Sequence, residues 1–292
     1  MDPLSKLLML NVPEGEIDKN CLLSGDWRLP HKAGDLSVIR WHTVTQGGGW
    51  LDMPAGKSFS LLPGTILFLP HNSAHRLRSQ QSSGTHIVCG SMRLPVSARH
   101  FQSALPEVLV FAPVTESAEY HWLQSVLSLL QVNADSSHHG ADALCSQLCA
   151  SILTLAVRDW LLTAPPEAGV LNLLFHPRLS GTILDMLVSP ATPWTVERLA
   201  RTAHMSRASF AHLFRQVSGT TPLAVLTTIR LQIAAQLLSR QVQSIINIAD
   251  DVGYANESSF HKAFVRHFHC TPGEYRKRVQ IIGELKQDRD KF

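Results

Sequence analysis

The 292-residue sequence predicts two domains, an N-terminal all-β domain with trailing helices and a C-terminal all-α domain containing two helix-turn-helix units. Short β-branched or apolar runs separated by Gly and Pro fill roughly the first 110 residues. Helical periodicity begins near Tyr120, and a pattern of two short helices around a breaker occurs twice near the C-terminus. We expect the β-rich domain and its helices at 1–163, a linker at 164–176 and the second domain at 177–292.

The strand signals are regular enough to predict a barrel or a jelly roll. The runs lie at 36–41, 58–62, 65–69 and 85–89. Two apolar stripes at helical spacing follow them. The first comprises Leu123, Val126, Leu127 and Leu130, and the second comprises Leu144, Leu148, Ile152, Leu155 and Trp160. These helices could pack within one subunit or against a second copy. Pro165 and Pro166 then stop the second helix and begin the linker.

The C-terminal pattern is a helix at 245–249, a break at Gly253, and a second helix that begins after Asn256 as N-cap. Taken alone it fits either a helix-turn-helix or an ordinary helical hairpin. An earlier segment repeats it: one constant offset relates Phe210, Phe214 and Pro222 to Phe260, Phe264 and Pro272. Upstream of these helices the offset is one residue shorter. The two units therefore differ in length by one residue, and the extra residue lies in the turn of the second unit. The segment 222–239 is predicted to be the helix that connects the two units.

Charge is divided unevenly along the chain. Residues 1–176 carry 11 Lys and Arg against 14 Asp and Glu, a net −3, whereas 177–292 carry 15 against 9, a net +6. A basic C-terminal half is what binding to phosphates requires. No run of about 18 apolar residues is present, the first twelve residues lack a clear cleavage site, and five scattered cysteines indicate reduced thiols. We therefore expect a cytoplasmic protein without a membrane partner.

The end of the chain carries a specific signature: Gly253-Tyr254, Ser258-Ser259-Phe260, Phe264 and the run from 268 to 276. From about Trp194 to Arg278 the chain resembles the AraC/XylS family of bacterial transcription regulators. The resemblance implies binding to double-stranded DNA, contact with RNA polymerase, dimer formation through the helices after the first domain, and no enzymatic activity or cofactor.

The first domain is similar to the cupin-type sensor domain of that family. Gly64, Pro70 and His75 resemble the second cupin motif, and segments 7–11, 72–76 and 142–147 resemble a family member that responds to reactive chlorine. Cupin enzymes hold a metal with several His and one Glu. The first motif here, from Trp41 to Gln46, has neither a His-x-His pair nor a Glu.

Histidines are the candidate metal ligands of this domain. Imidazoles are available at His42, His71, His75 and His86, but only His42 and His75 stand near ligand-like positions. Polar residues at a barrel mouth are therefore favoured over a metal site, and a metal-dependent cupin enzyme fused to a DNA-binding tail is disfavoured.

Outward positions of the two recognition helices are the candidate DNA contacts. They are Arg207, Ala208, Ala211, His212 and Arg215 in the first helix, and Glu257, Ser258, Ser259, His261, Lys262 and Arg266 in the second. An Arg can pair with guanine, and Ala can touch a thymine methyl. Glu257 either accepts from cytosine or caps its helix. Arg266 is expected to contact phosphate.

Two of the five cysteines, Cys21 and Cys89, belong to the β-rich domain. Cys21 is expected at the start of a strand, where Lys19 and Asn20 give it a weakly cationic setting that favours the thiolate. Gly90 is expected to leave room beside Cys89. From the residues alone, an unrelated pair of buried cysteines is as good an interpretation. The resemblance to the chlorine-responsive member implies oxidation of this pair and an activator induced by hypochlorous acid. A small molecule bound in the barrel is the alternative signal. The remaining cysteines are interpreted as packing residues: Cys145, Cys149 and Cys270.

Overall fold

The computed structural model describes residues 1–80, 84–95, 98–134, 138–164, 169–240 and 243–289. The chain forms two compact units, one of residues 11–165 and one of residues 1–10 together with 166–292. The helix α1 at Pro3–Leu10 thus belongs to the C-terminal unit, where it packs on helices of that unit. The expected boundaries at 163 and 176 stay predictions, and residues 165–168 of the expected linker lie outside the described residues.

The unit of residues 11–165 contains two antiparallel sheets. Its strands are β1 Glu14–Leu23, β2 Arg28–His31, β3 Val38–Gln46, β4 Gly49–Asp52, β5 Ser58–Leu61, β6 Ile66–Leu69, β7 His75–Ser79, β8 Thr85–Arg93 and β9 Leu109–Phe111. The first sheet has the order β1-β8-β3-β6-β9 and the second has the order β2-β7-β4-β5. The expected β-rich domain is confirmed: the described strands form two open sheets, as in a jelly roll, and not one closed barrel.

The core of this unit lies between the two sheets. Val44, Leu67 and Ile87 from the first sheet pack with Leu51 and Leu77 from the second. This burial follows because successive side chains of a strand point to opposite faces, so one face of each sheet is directed at the other sheet. Strand β6 is apolar and buried along its whole length. Cys89 is part of the same core.

The described part of the unit also contains helices α2 Arg99–Ser103, α3 Ala118–Ala134 and α4 Ala141–Thr163. Helix α4 packs on α3 and on strands β1 and β9, burying residues such as Cys149, Ile152 and Val157. By length and composition alone, the segments Ala141–Thr163 and Pro222–Ser239 could cross a membrane. Core helices pass the same test, and the packing of α4 against the sheet identifies it as one.

The C-terminal unit consists of helices. After a 3-10 helix at Val170–Leu174 come α5 Ser180–Val188, α6 Val196–Thr202, α7 Arg207–Ser218, α8 Pro222–Arg240, α9 Ile245–Asp251, α10 Glu257–Phe268 and α11 Pro272–Arg289. The 3-10 helix buries Leu171, Leu173 and Leu174 and packs on α7, so part of the expected linker contributes core residues. Helix α8 contacts α7 and α5 as well as α9, α10 and α11, as a connecting helix should.

Both helix-turn-helix units are present, and their turns differ by one residue. In the first, Ala203, His204 and Met205 separate α6 from the N-cap Ser206. In the second, four residues from Val252 to Ala255 precede the N-cap Asn256. Equivalent hydrogen bonds join Met205 N to Ala200 O and Tyr254 N to Ala249 O, each 2.9 Å long. This confirms the prediction that the second turn is one residue longer than the first.

Candidate DNA-binding surface, cysteine pair and histidine cluster

The first recognition helix, α7, is fixed by its cap and its aromatic face. The Ser206 hydroxyl accepts a hydrogen bond from Ser209 N, while Phe210 and Phe214 are fully buried. The opposite face therefore points outward. Of the candidate contacts, Arg207, Ala208, His212 and Arg215 are exposed and Ala211 is half-buried.

The second recognition helix, α10, is built in the same way. The Asn256 side chain accepts from Ser259 N at 2.8 Å, and Phe260, Phe264 and Phe268 are buried. Glu257, Ser258, Ser259, Lys262 and Arg266 are exposed, and His261 is half-buried. Because Asn256 caps this helix, Glu257 is not needed for that role and its carboxylate is presented on the surface.

One contact bears on how Arg207 could act. Its Nε donates to the Glu197 carboxylate of α6 at 2.6 Å, and both side chains are well exposed. An exposed ion pair of this kind contributes little to stability. We expect Glu197 to orient the guanidinium and to release it when a nucleic acid offers a stronger acceptor.

Substitutions at Arg207 and Arg266 should separate base reading from phosphate binding. Arg207→Ala is expected to weaken binding to the preferred site by about 1–3 kcal/mol and to relax specificity at one base pair. Arg266→Ala should weaken all sequences alike and reduce the slope of log affinity against log salt by about 1. The measurement is a salt titration on a duplex selected from random sequence and on an unrelated duplex. Equal losses on both duplexes for both variants would contradict this assignment.

Cys21 and Cys89 lie on neighbouring strands. Cys89 faces Lys19 across the β1–β8 pair, and Cys21 faces Ile87, so the two cysteines stand two register positions apart on one face of the sheet. Cys21 is near the end of β1, not at the start of a strand as the sequence suggested. The space over Gly90 is filled by the Trp41 indole, against which any added Cβ would collide. Gly90 and Cys89 point to opposite faces of β8, so this glycine does not supply the room that was expected beside the Cys89 thiol.

The environments of the two thiols differ. Cys89 is 3% exposed, whereas Cys21 is half-buried. Burial raises the pKa of the Cys89 thiol to about 12. Cys145, Cys149 and Cys270 are buried, which confirms their interpretation as packing residues. Burial also raises the pKa of Cys149, to about 12, and that of Cys145.

The structure brings the two candidate histidines together and adds a third. His42 Nε2 lies 2.8 Å from His75 Nε2, and the His31 ring stacks on His75 with centroids 4.6 Å apart. His71 Nε2 instead donates to the Leu105 carbonyl, and His86 bonds the Asn20 side chain. Sequence reasoning missed His31 because it stands in neither motif. The signal that finds it is the β2–β7 register, which pairs His31 with His75.

Comparison with known proteins agrees with this architecture. The family model named Cupin matches residues 2–162, and the model named Helix-turn-helix domain matches residues 199–278. The chain is 60% identical to the RCS-specific HTH-type transcriptional activator RclR of Escherichia coli, covering 97% of this chain and 99% of that one. It is 30% identical to the HTH-type transcriptional regulator MtrA of Neisseria gonorrhoeae, covering 95% of this chain and 98% of the other.

Among solved structures, ToxT of Vibrio cholerae matches with a TM-score of 0.39 and 14% identity over 92% of this chain and 98% of its own. The relatives are named as transcriptional regulators, which confirms the expectation of a protein that is not an enzyme. The chain therefore belongs to the AraC family of transcriptional activators and joins a cupin domain to an AraC-type helix-turn-helix domain.

Proposed function

We propose that this activator is switched on by reactive chlorine species, through oxidation of Cys21 and Cys89 to a disulfide. The observation that carries the proposal is the position of the two cysteines on one face of adjacent strands. The name of the Escherichia coli relative, RCS-specific activator, supports the same signal.

The first step would be oxidation of Cys21, which is the more exposed of the two thiols. Hypochlorous acid oxidises the thiol by two electrons to sulfenic acid and is itself reduced to chloride, with release of one proton. Cys89 is a poor first target because it is buried and protonated at neutral pH, its pKa being raised to about 12.

In the second step the Cys89 sulfur would attack the sulfenic sulfur of Cys21. The S–S bond forms, the Cys89 thiol loses its proton, and the sulfenic oxygen leaves as water. The Lys19 ammonium, directly opposite Cys89 in the register, favours the thiolate needed for this attack. Lys19 thus assists the second step through its charge, because Cys89 is the thiol that closes the disulfide.

The bond would have to move strand β1. Residues two register positions apart lie about 7–8 Å from each other, which exceeds the roughly 4.4–6.8 Å between the Cα atoms of a disulfide. Strand β1 is at the sheet edge, and its pairing shifts register between Ile17 and Lys19, so it can slide more easily than a central strand.

Movement of β1 would reach helix α4 directly. Gly15 of β1 packs so closely on Cys149 that an added Cβ would collide with it, and Gly15 N donates to the Ser146 hydroxyl at 3.2 Å. Since α4 is the last helix of the cupin domain, we propose that its displacement changes how two copies of the chain associate.

The output would be DNA binding by both recognition helices, using the outward residues of α7 and α10 described above. Two such helices enter successive major grooves about 34 Å apart. We further propose that the protein acts as a homodimer in the cytoplasm and recruits RNA polymerase.

The test is a binding assay with the reduced and the oxidised full-length protein on DNA from its own upstream region. Oxidation with one equivalent of hypochlorous acid should change affinity or transcription in vitro, consume two thiols, and give a Cys21–Cys89 crosslinked peptide. An unchanged output after loss of those two thiols would contradict the proposal. It would favour a small molecule bound in the cupin domain as the signal.

A further inference from the structure

We infer that His31, His42 and His75 form a binding site for a transition-metal ion of the class that prefers imidazole nitrogen, with Zn²⁺ as the expected ion. One ring nitrogen from each lies within 4.8 Å of the others. Among the described residues, this group contains neither a carboxylate nor a thiol. The ligand set is distinct from the cysteine pair proposed above, although His42 and Cys89 are direct register partners on strands β3 and β8.

The fold builds this cluster from both sheets. His31 and His75 are direct partners in the β2–β7 pair, with rings stacked at an interplanar angle of 9°. His42 enters from β3 of the other sheet, and its ring centroid lies 4.9 Å from that of His75 and 5.1 Å from that of His31. Three imidazoles therefore converge at one place between the sheets.

Two buried ring nitrogens of this cluster, one on His42 and one on His31, take part in no hydrogen bond among the described residues. His75 Nδ1 donates to the Ser73 carbonyl at 2.8 Å, so in the neutral ring Nε2 carries the lone pair. The short contact to His42 Nε2 then requires His42 to donate from Nε2, which leaves a lone pair on its Nδ1. His42 Nδ1 and His31 Nε2 are both buried without a hydrogen-bond partner in the described protein. Such groups are rare in folded proteins, and a bound ion is one explanation for them.

The bond from His75 to Ser73 has a second consequence. A ligating histidine commonly donates its other ring nitrogen to a carbonyl, which fixes the tautomer and the orientation of the ring. His75 already has this arrangement, with Nε2 turned toward the other two rings. It is therefore held in the form that binds a metal.

Burial disfavours the protonated form of all three rings. Burial lowers the pKa of His42 and of His75, and burial together with nearby positive charge lowers that of His31 to about 4. Neutral imidazole is the form that ligates a metal. Arg40 and Lys19 bring positive charge toward the cluster, and Asp18 lies within range of both cations and offsets part of it.

Three histidines and no protein carboxylate match a zinc site with an open fourth position. Zinc–nitrogen bonds of about 2.0–2.1 Å place tetrahedral ligand atoms roughly 3.4 Å apart, so small ring rotations would suffice here. His31 is the least buried of the three. This donor set differs from the His and Glu pattern of cupin enzymes in two ways. It includes His31, which lies outside both motifs, and it contains no carboxylate.

The test is a metal titration of the reduced, untagged full-length protein after removal of bound metal with a chelator. Zn²⁺ should bind with one equivalent per chain in competition with a chromophoric chelator. His31→Ala, which alters the least buried ligand, should lower the affinity by more than the roughly 10–100-fold typical of an outer-shell change. Co²⁺ should give visible ligand-field bands without a thiolate charge-transfer band.

His71→Ala is the matched control because His71 is a half-buried histidine of the same domain with its own carbonyl partner. It should bind Zn²⁺ like the unaltered chain. Thermal unfolding without metal checks that each variant is folded, and added Zn²⁺ should raise the Tm of the unaltered chain and of His71→Ala only. Equal affinity in His31→Ala and the unaltered chain would overturn the assignment. So would binding that survives His31→Ala and is lost in Cys89→Ser.

Discussion

Cys21→Ala and Cys89→Ala are each expected to abolish induction of a reporter gene by hypochlorous acid, because either change leaves one thiol without a partner. Basal DNA binding should be nearly unchanged, since neither cysteine belongs to the helix-turn-helix units. Cys21 is half-buried, so its loss should cost little stability. The measurement is reporter induction in each single variant, with peptide mapping of the oxidised protein.

The three other cysteines provide controls of the same chemistry. Cys145→Ala, Cys149→Ala and Cys270→Ala remove buried thiols that are not members of the β1–β8 pair. Cys149 packs on Gly15 of β1, so Cys145 and Cys270 are the cleaner controls. They should be induced like the unaltered protein. Full induction of Cys21→Ala, or a disulfide mapped to Cys145 and Cys149, would exclude the mechanism.

An insertion of one residue after Ala234 is expected to reduce specific DNA binding to the level of a single helix-turn-helix unit. Each residue of a helix turns the chain by about 100°, so the second unit would rotate away from the groove that it must enter. Helix α8 packs against helices of both helix-turn-helix units, and its residues Ala234 and Ala235 are fully buried. The insertion therefore also moves core residues such as Leu238 out of position.

Two measurements keep this prediction interpretable. Binding should be compared on a full selected site and on a duplex that retains only the half read by α7, where the variant should match the unaltered protein. Far-UV circular dichroism should show whether α9 and α10 remain helical. Undiminished affinity for the full site would mean that only one unit engages DNA.

The sequence by itself determined the architecture of the DNA-binding half. Helix periodicity, the N-cap Asn256 and the break at Gly253 act within a few residues of the chain, so they can be read without tertiary contacts. The repeated Phe residues and their constant offset predicted two units, and the one-residue difference in offset located the longer turn. The outward residues of α7 and α10 could be named in the same way. The buried aromatic stripe of each helix leaves the opposite face exposed to solvent.

The β-rich half was predictable only as a class, because strand pairing joins residues far apart in sequence and a register cannot be read from either strand alone. The tertiary structure decided that Cys21 and Cys89 share a face, that Trp41 fills the space beside Gly90, and that helix α1 packs with the C-terminal unit. The tertiary structure also brought the three histidines of the cluster together. His42 and His75 stood near a recognisable motif, but His31 joins them only through the pairing of β2 with β7, a contact between residues 44 positions apart.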